Sequence, residues 1–185
     1  MIQIDDAHQL FDKTDMTYRE FETSFGMIRY DALLLMQNLP AEFAETALLE
    51  VQISELLKNA MEHGNKYDSD KIVRTWSRFD GAEFRLIVED EGAGFHDIER
   101  WNEWARIRQE CIRLKNTEKL LLYLGYQPQG TAYYGRNDGI GGVSLFAAES
   151  YWNCGIVFSS KRNCVAVSRI FPADFCDGGA EEELQ

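Results

Sequence analysis

Apolar residues in this chain follow two periods, and the switch between them divides it. From Met27 to Asn38, the residues Ile28, Leu33, Leu34, Leu35 and Met36 recur at helical spacing ahead of Pro40, which predicts a helix. A longer helix is predicted from about Ala41 to His63, with Gly64 where a left-handed cap is wanted. The period then drops to two. Lys71–Phe79 is rich in β-branched and aromatic residues, Asp80-Gly81 is a turn signal, and Glu83–Asp90 alternates again. Together they predict an antiparallel hairpin. A second hairpin, Tyr151–Ser159 with Cys164–Phe171, is predicted around Ser160-Lys161-Arg162-Asn163. Thr17–Phe25 alternates enough for one more strand. Residues 95–138 read as a polar, partly helical insertion, and Gly139–Ser150 as a glycine-led entry to a short amphipathic helix. Residues 1–16 are weakly periodic and read as a loosely attached lead-in, and residues 172–185 as a frayed acidic tail. Helices lead, strands come in hairpins and no βαβ unit repeats. The expected fold class is therefore α+β, a two-layer sandwich of helices on a mixed, mostly antiparallel sheet.

Composition narrows the function more than the fold. Among 185 residues, 19 are basic and 31 acidic, a formal charge of −12. Nothing so acidic offers a global attraction to a nucleic-acid backbone, so no direct nucleic-acid partner is expected. The longest unbroken apolar runs, Ala32–Met36 and Leu120–Leu124, fall far short of the roughly 20 residues of a membrane helix. The opening Met1-Ile2-Gln3-Ile4-Asp5-Asp6 lacks the basic start and apolar stretch of a signal peptide. A soluble, cytoplasmic protein is expected. Cys111, Cys154, Cys164 and Cys176 are scattered, without a Cys-x-x-Cys or a nearby His at ligand spacing, so reduced, buried thiols are expected and no zinc site.

Candidate chemistry begins on the long helix. With Glu55 at zero on a 100° wheel, Leu49, Ile53, Leu56, Leu57 and Ala60 fall between about 100° and 200°, the core stripe. Glu50, Ser54 and Lys58 take the solvent side. Glu55, Asn59 and His63 stand at i, i+4 and i+8 on a third sector bordering the core. A polar helix edge satisfied by water would look the same. Next, Asp90-Glu91-Gly92-Ala93-Gly94-Phe95 puts a carboxylate at a strand end, with two glycines that let backbone approach a ligand closely. An Asx-capped turn is the plainer reading. Third, Gly139-Ile140-Gly141-Gly142 leads into a helix, where free N–H groups suit an anion, although any flexible loop before a helix has this form.

The order of the three elements says more than any one. An E-x-x-x-N helix, a hairpin strand ending in D-x-G-x-G, a long insertion and a glycine loop opening a helix resemble the GHKL ATPase superfamily, that is, the Bergerat or histidine-kinase-like ATPase fold. The stretch Ile53–Gly64, with its trailing His-Gly, resembles most the anti-sigma factor serine/threonine kinases. The resemblance spans roughly residues 17–171. It implies that Asn59 holds the Mg²⁺ bridging the phosphates of ATP, that Glu55 is the general base, and that Asp90 accepts a hydrogen bond from the adenine amino group. Gly92 and Gly94 would shape the adenine end, and Gly139, Gly141 and Gly142 would cradle phosphates from a lid at 95–138. His63 is expected to be a structural helix-end residue. The lid carries a net charge of +1, the one segment that is not acidic, although a mixed surface insertion would do the same.

Two departures stand out. Gly142 occupies the place where the family usually has Leu, and the lid is longer than in compact anti-sigma kinases. Within it Trp101, Trp104, Ile107, Cys111 and Leu114 share helical spacing, which suggests an interface or a closing lid, or else a stripe packed on the core. No phospho-acceptor helix pair precedes the core and no transducer domain follows, so neither a complete sensor kinase nor a gyrase-type machine is expected. The expected function is phosphorylation of a small STAS-type antagonist in a partner-switching pathway, with a sigma factor as further partner and a homodimer allowed. A nucleotide-gated binding module and a simple ATPase stay open as alternatives.

Overall fold

In the computed structural model, residues 1–40, 43–96, 98–119, 148 and 150–172 are described. They form an α+β fold on one mixed six-stranded sheet. The strands are β1 (Gln3–Ile4), β2 (Thr17–Glu22), β3 (Ile72–Phe79), β4 (Glu83–Glu89), β5 (Ile156–Phe158) and β6 (Cys164–Ile170), in the order β1-β5-β6-β4-β3-β2. Only β1 and β5 run parallel; every other pair is antiparallel. The helices are α1 (Ile28–Leu35), α2 (Thr46–Asn59) and α3 (Ile98–Arg113).

The first hairpin forms because its turn and its alternation agree. Gly81 adopts φ +94°, which a side chain would resist, and Asp80 Oδ1 accepts the N–H groups of Ala82 and Glu83 at 3.2 and 2.9 Å. That turn sets Phe79 opposite Phe84 and Thr75 opposite Val88. Val73, Phe84, Leu86, Val88, Val165 and Val167 then share one core with Leu49, Ile53, Leu56, Leu57 and Ala60 of α2, the stripe expected from the wheel. Burying side chains of this size contributes about 1.5–3 kcal/mol each. Arg169, in β6, clamps the start of α2: Nε and Nη2 donate to the Glu45 carboxylate at 3.0 and 2.9 Å, and Nη1 donates to the Tyr151 carbonyl at 2.6 Å.

Several boundaries differ from expectation. The strand expected over Thr17–Phe25 stops at Glu22, because Phe25–Met27 turns into a 3-10 helix leading to α1. The helix expected over Met27–Asn38 ends at Leu35, where the Met36 N–H is shared between the Ala32 and Leu33 carbonyls. Within the expected Tyr151–Ser159 strand only Ile156–Phe158 is extended. Residues 1–16 are not loosely attached. β1 pairs with β5, and Leu10, 3% exposed on the 3-10 turn Gln9–Phe11, packs with Ile87, Val157, Cys164 and Ala166 on the other face of the sheet. Cys111 and Cys164 are buried as expected, but Cys154 is exposed beside a turn.

The expected stripe on α3 is core in part: Trp104 and Ile107 are half-buried. Ile98, Trp101, Ala105 and Cys111 are buried, with Trp101 0% exposed, while Leu114 lies on the surface. Asn102 grips the residue ahead of β1 with both ends of its amide: Nδ2 donates to the Ile2 carbonyl and Oδ1 accepts the Ile2 N–H, each at 2.8 Å. Trp101 is thus enclosed by the chain's own core, with Trp104 partly buried against it. The acidic tail beyond 172 and the insertion from 120 onward lie outside the described residues.

Candidate functional site

Where α2 ends, the helix widens into a π-helical turn, Ala60–Gly64, closed by the Asn65 N–H on the Ala60 carbonyl at 2.7 Å. Such turns occur frequently at functional sites. Here the extra residue per turn carries His63 and Gly64 onto the sheet end where β4 stops. Lys66 and Tyr67 then reverse the chain with φ of 59° and 60°. Gly64, expected as a left-handed cap, is not in that conformation; the left-handed residues are the next two but one. It is glycine for another reason. A Cβ there would stand 2.2 Å from Cγ of Asp90.

Asp90 closes β4, and its carboxylate sits in a cradle of two glycines. Gly92 donates its N–H to Asp90 Oδ1 at 2.7 Å, and a Cβ on Gly92 would lie 2.3 Å from the Gly64 carbonyl oxygen. The strand end is held to the β5–β6 turn by the Asp90 N–H on the Asn163 carbonyl at 2.9 Å and by Asn163 Nδ2 on the Asp90 carbonyl at 2.5 Å. Burial raises the Asp90 pKa to about 6, against the Gly92 hydrogen bond, which pulls it down; the Glu89 charge adds to the rise.

This carboxylate faces a cavity of about 280 Å³. Leu56, Val88, Phe95, Ile156, Phe158 and Val165 supply apolar walls, and Asn59, His63, Asp90 and Asn163 supply polar atoms. Of the lining residues Asp90 alone is acidic, whereas Lys66 and Arg162 are cationic. In a chain of charge −12 that is a local reversal. Arg162 is spoken for: its Nη2 donates to Glu99 Oε1 at 2.6 Å, and its carbonyl accepts the Phe95 N–H at 2.9 Å. Gly94, at φ +92°, lets the loop pass the Lys161 carbonyl, which a Cβ would approach to 2.3 Å.

Of the site residues expected from sequence, Asn59, Asp90 and Gly94 are brought together on the cavity, with Gly92 behind the carboxylate. Glu55 lies one turn before Asn59 on α2, half-buried, and is not part of the lining. Gly139, Gly141 and Gly142 lie outside the described residues. His63, expected to be a structural helix-end residue rather than a catalyst, sits in the π turn and lines the cavity. Asn163, Lys66 and Arg162 were missed, since a hairpin turn and a helix exit carry no motif of their own. Among the described residues no group of three or more His, Cys, Asp or Glu could hold a metal ion, and no helix is long and apolar enough to cross a membrane.

The cradle makes a direct prediction. Gly64→Ala is expected to drive the added methyl into the Asp90 carboxylate and to lower stability by about 1–3 kcal/mol. In an Asp90→Ala background the same change should cost much less, because the clashing atoms are gone. Denaturant titration of the double-mutant cycle measures this coupling; equal costs in both backgrounds would contradict it.

No protein-family model matches the chain, and no curated protein is found to be similar to it.

Proposed function

We propose that this chain is an ATP-binding domain of the GHKL type, a histidine-kinase-like two-layer sandwich. It would act in the cytoplasm as an anti-sigma-type serine/threonine protein kinase on a small STAS-type antagonist. The observation that carries the reading is the Asp90 carboxylate, seated between Gly64 and Gly92 in an apolar cavity that Asn59 also lines. A carboxylate desolvated in this way discriminates by hydrogen bonding. With a purine's six-position set against it, it would accept from adenine's amino group and repel the carbonyl that guanine carries there. The cavity lies at the lower end of the roughly 300–1,000 Å³ of ligand pockets, a size for a base and sugar rather than a whole triphosphate. The phosphates would extend past Asn59, one turn back along α2.

The donor set fits a magnesium nucleotide. Mg²⁺ keeps several waters and takes few protein ligands, so the Asn59 amide oxygen beside phosphate oxygens is chemically sufficient. When bound, the ion would neutralise charge on the phosphates. The rest falls to the chain. Asp90 would orient the base, Gly92 and Gly94 would let backbone approach it, and Glu55 would accept the proton of the attacking hydroxyl. Gly139, Gly141 and Gly142 complete the proposal on the phosphate side.

A second reading has one observation in its favour: Glu55 is outside the cavity lining. On that reading the chain is a nucleotide-gated binder of the antagonist or a sigma factor, without phosphoryl transfer. Incubation with γ-labelled ATP and STAS-type antagonists separates the readings. Label on a serine or threonine of the antagonist is the expected result. Phosphate release alone would mean a simple ATPase, and binding without turnover the gated module.

A further inference from the structure

Asn65 follows Gly64 directly, does not line the cavity, and is 0% exposed. Its Nδ2 donates to Thr23 Oγ1 at 2.9 Å and to the Ile72 carbonyl at 3.1 Å, and its Oδ1 accepts the Glu91 N–H at 2.8 Å. Both amide protons and one oxygen lone pair are thus used. Its own N–H makes the bond to the Ala60 carbonyl that renders the turn π-helical. The Thr23 hydroxyl passes the connection on, donating to the Lys71 carbonyl at 2.8 Å. One side chain thereby ties the end of α2 to the exit of β2, the entry of β3 and the loop after β4.

The partners matter more than their number. On the backbone side, Asn65 adjoins Gly64, the wall against which the Asp90 carboxylate packs. On the side-chain side it holds Glu91, the residue between Asp90 and Gly92. The two halves of the cradle meet through this one amide. A buried amide with every proton satisfied holds its geometry tightly, because each broken bond leaves a buried group unpaired.

We infer that Asn65 is a positioning residue of the site, setting the separation between Gly64 and the Asp90–Gly92 loop and hence where a ligand's donor meets the carboxylate. For the identity of that ligand the inference rests on the nucleotide reading; the positioning itself does not.

Three variants test it. Asn65→Asp keeps the shape and the acceptor for Glu91 but removes both donors and turns a carboxylate on two oxygens. Asn65→Ala removes every bond, and Thr23→Val removes one partner while leaving Asn65 in place. Two quantities are read: exchange of the Gly92 amide hydrogen in the protein without ligand, and the ATP dissociation constant well below the melting temperature. Asn65→Asp should speed Gly92 exchange and weaken ATP binding, each by about tenfold or more, while amides of β4 stay protected. Thr23→Val should move both in the same direction by less, and it decides the matter together with Asn65→Asp if Asn65→Ala fails to fold. Folded variants with lower melting temperatures, yet Gly92 exchange and ATP affinity within about twofold of the wild type, would overturn the inference and leave Asn65 a structural tie. Faster Gly92 exchange in a protein that takes no ATP even as the wild type would uphold the positioning role and remove the nucleotide reading.

Discussion

Glu55→Gln is expected to leave ATP binding intact and to cut turnover by about 10²–10⁴-fold. The substitution keeps the size of the side chain and removes only its basicity. Helical geometry supports the choice of residue: Glu55 precedes Asn59 by one turn, so the two rise on one face of α2, with Asn59 at the cavity and Glu55 beyond its edge. Calorimetry with Mg-ATP checks the binding half and a label-transfer assay the catalytic half. Wild-type turnover in the variant would make Glu55 structural, and loss of ATP binding would make it part of the pocket.

Asp90→Asn is expected to weaken ATP by about 1.5–3 kcal/mol, or roughly 10–150-fold, the scale of a charged hydrogen bond in a desolvated site. The same variant should be more stable than the wild type when no ligand is present. The sign follows from the carboxyl's raised pKa. With a folded value of about 6 above an ordinary 3.8, the wild-type protein gains stability from this group below about pH 4 and loses it as the pH rises through 6. Asparagine removes that loss, so melting temperatures at pH 7 should rise on substitution. Asp31, buried on α1 and pushed by burial to about 6, contributes with the same sign in the same window. Weaker binding joined to a more stable fold would mark Asp90 as a residue held at a cost for function. Unchanged affinity would remove it from the site.

The parts of this molecule that were legible in sequence are those whose cause is local. In Lys71–Asp90 the alternation, the Asp80-Gly81 turn and the cross-strand pairs lie within twenty residues, and the observed strands fall inside the expected ones. Leu49, Ile53, Leu56, Leu57 and Ala60 needed only the helical period to mark their face. The N-terminal segment failed the same test because its order comes from afar. Gln3 and Ile4 pair with Val157 and Phe158, and Ile2 is held by Asn102, none of which short-range periodicity can register. Trp101 and its neighbours had a legible stripe, but a stripe does not say what covers it. In the site, Asn59, Asp90 and the glycines stood out by residue type and order. The π turn did not, since one inserted residue scarcely disturbs a 3.6-residue pattern over five positions. Gly64 shows the limit most plainly: its glycine character suggested a cap, while its actual cause is a carboxylate twenty-six residues further on.

The ligand proposed for the cavity under Asp90 is an adenine nucleotide. The most direct measurement is a calorimetric titration of the purified chain with ATP and, separately, GTP, both with Mg²⁺ at pH 7.5. Saturable binding of ATP at one site per chain is expected, with GTP at least about tenfold weaker, the cost of setting guanine's six-position carbonyl against a buried carboxylate. No heat with ATP, or equal affinity for the two nucleotides, would contradict it.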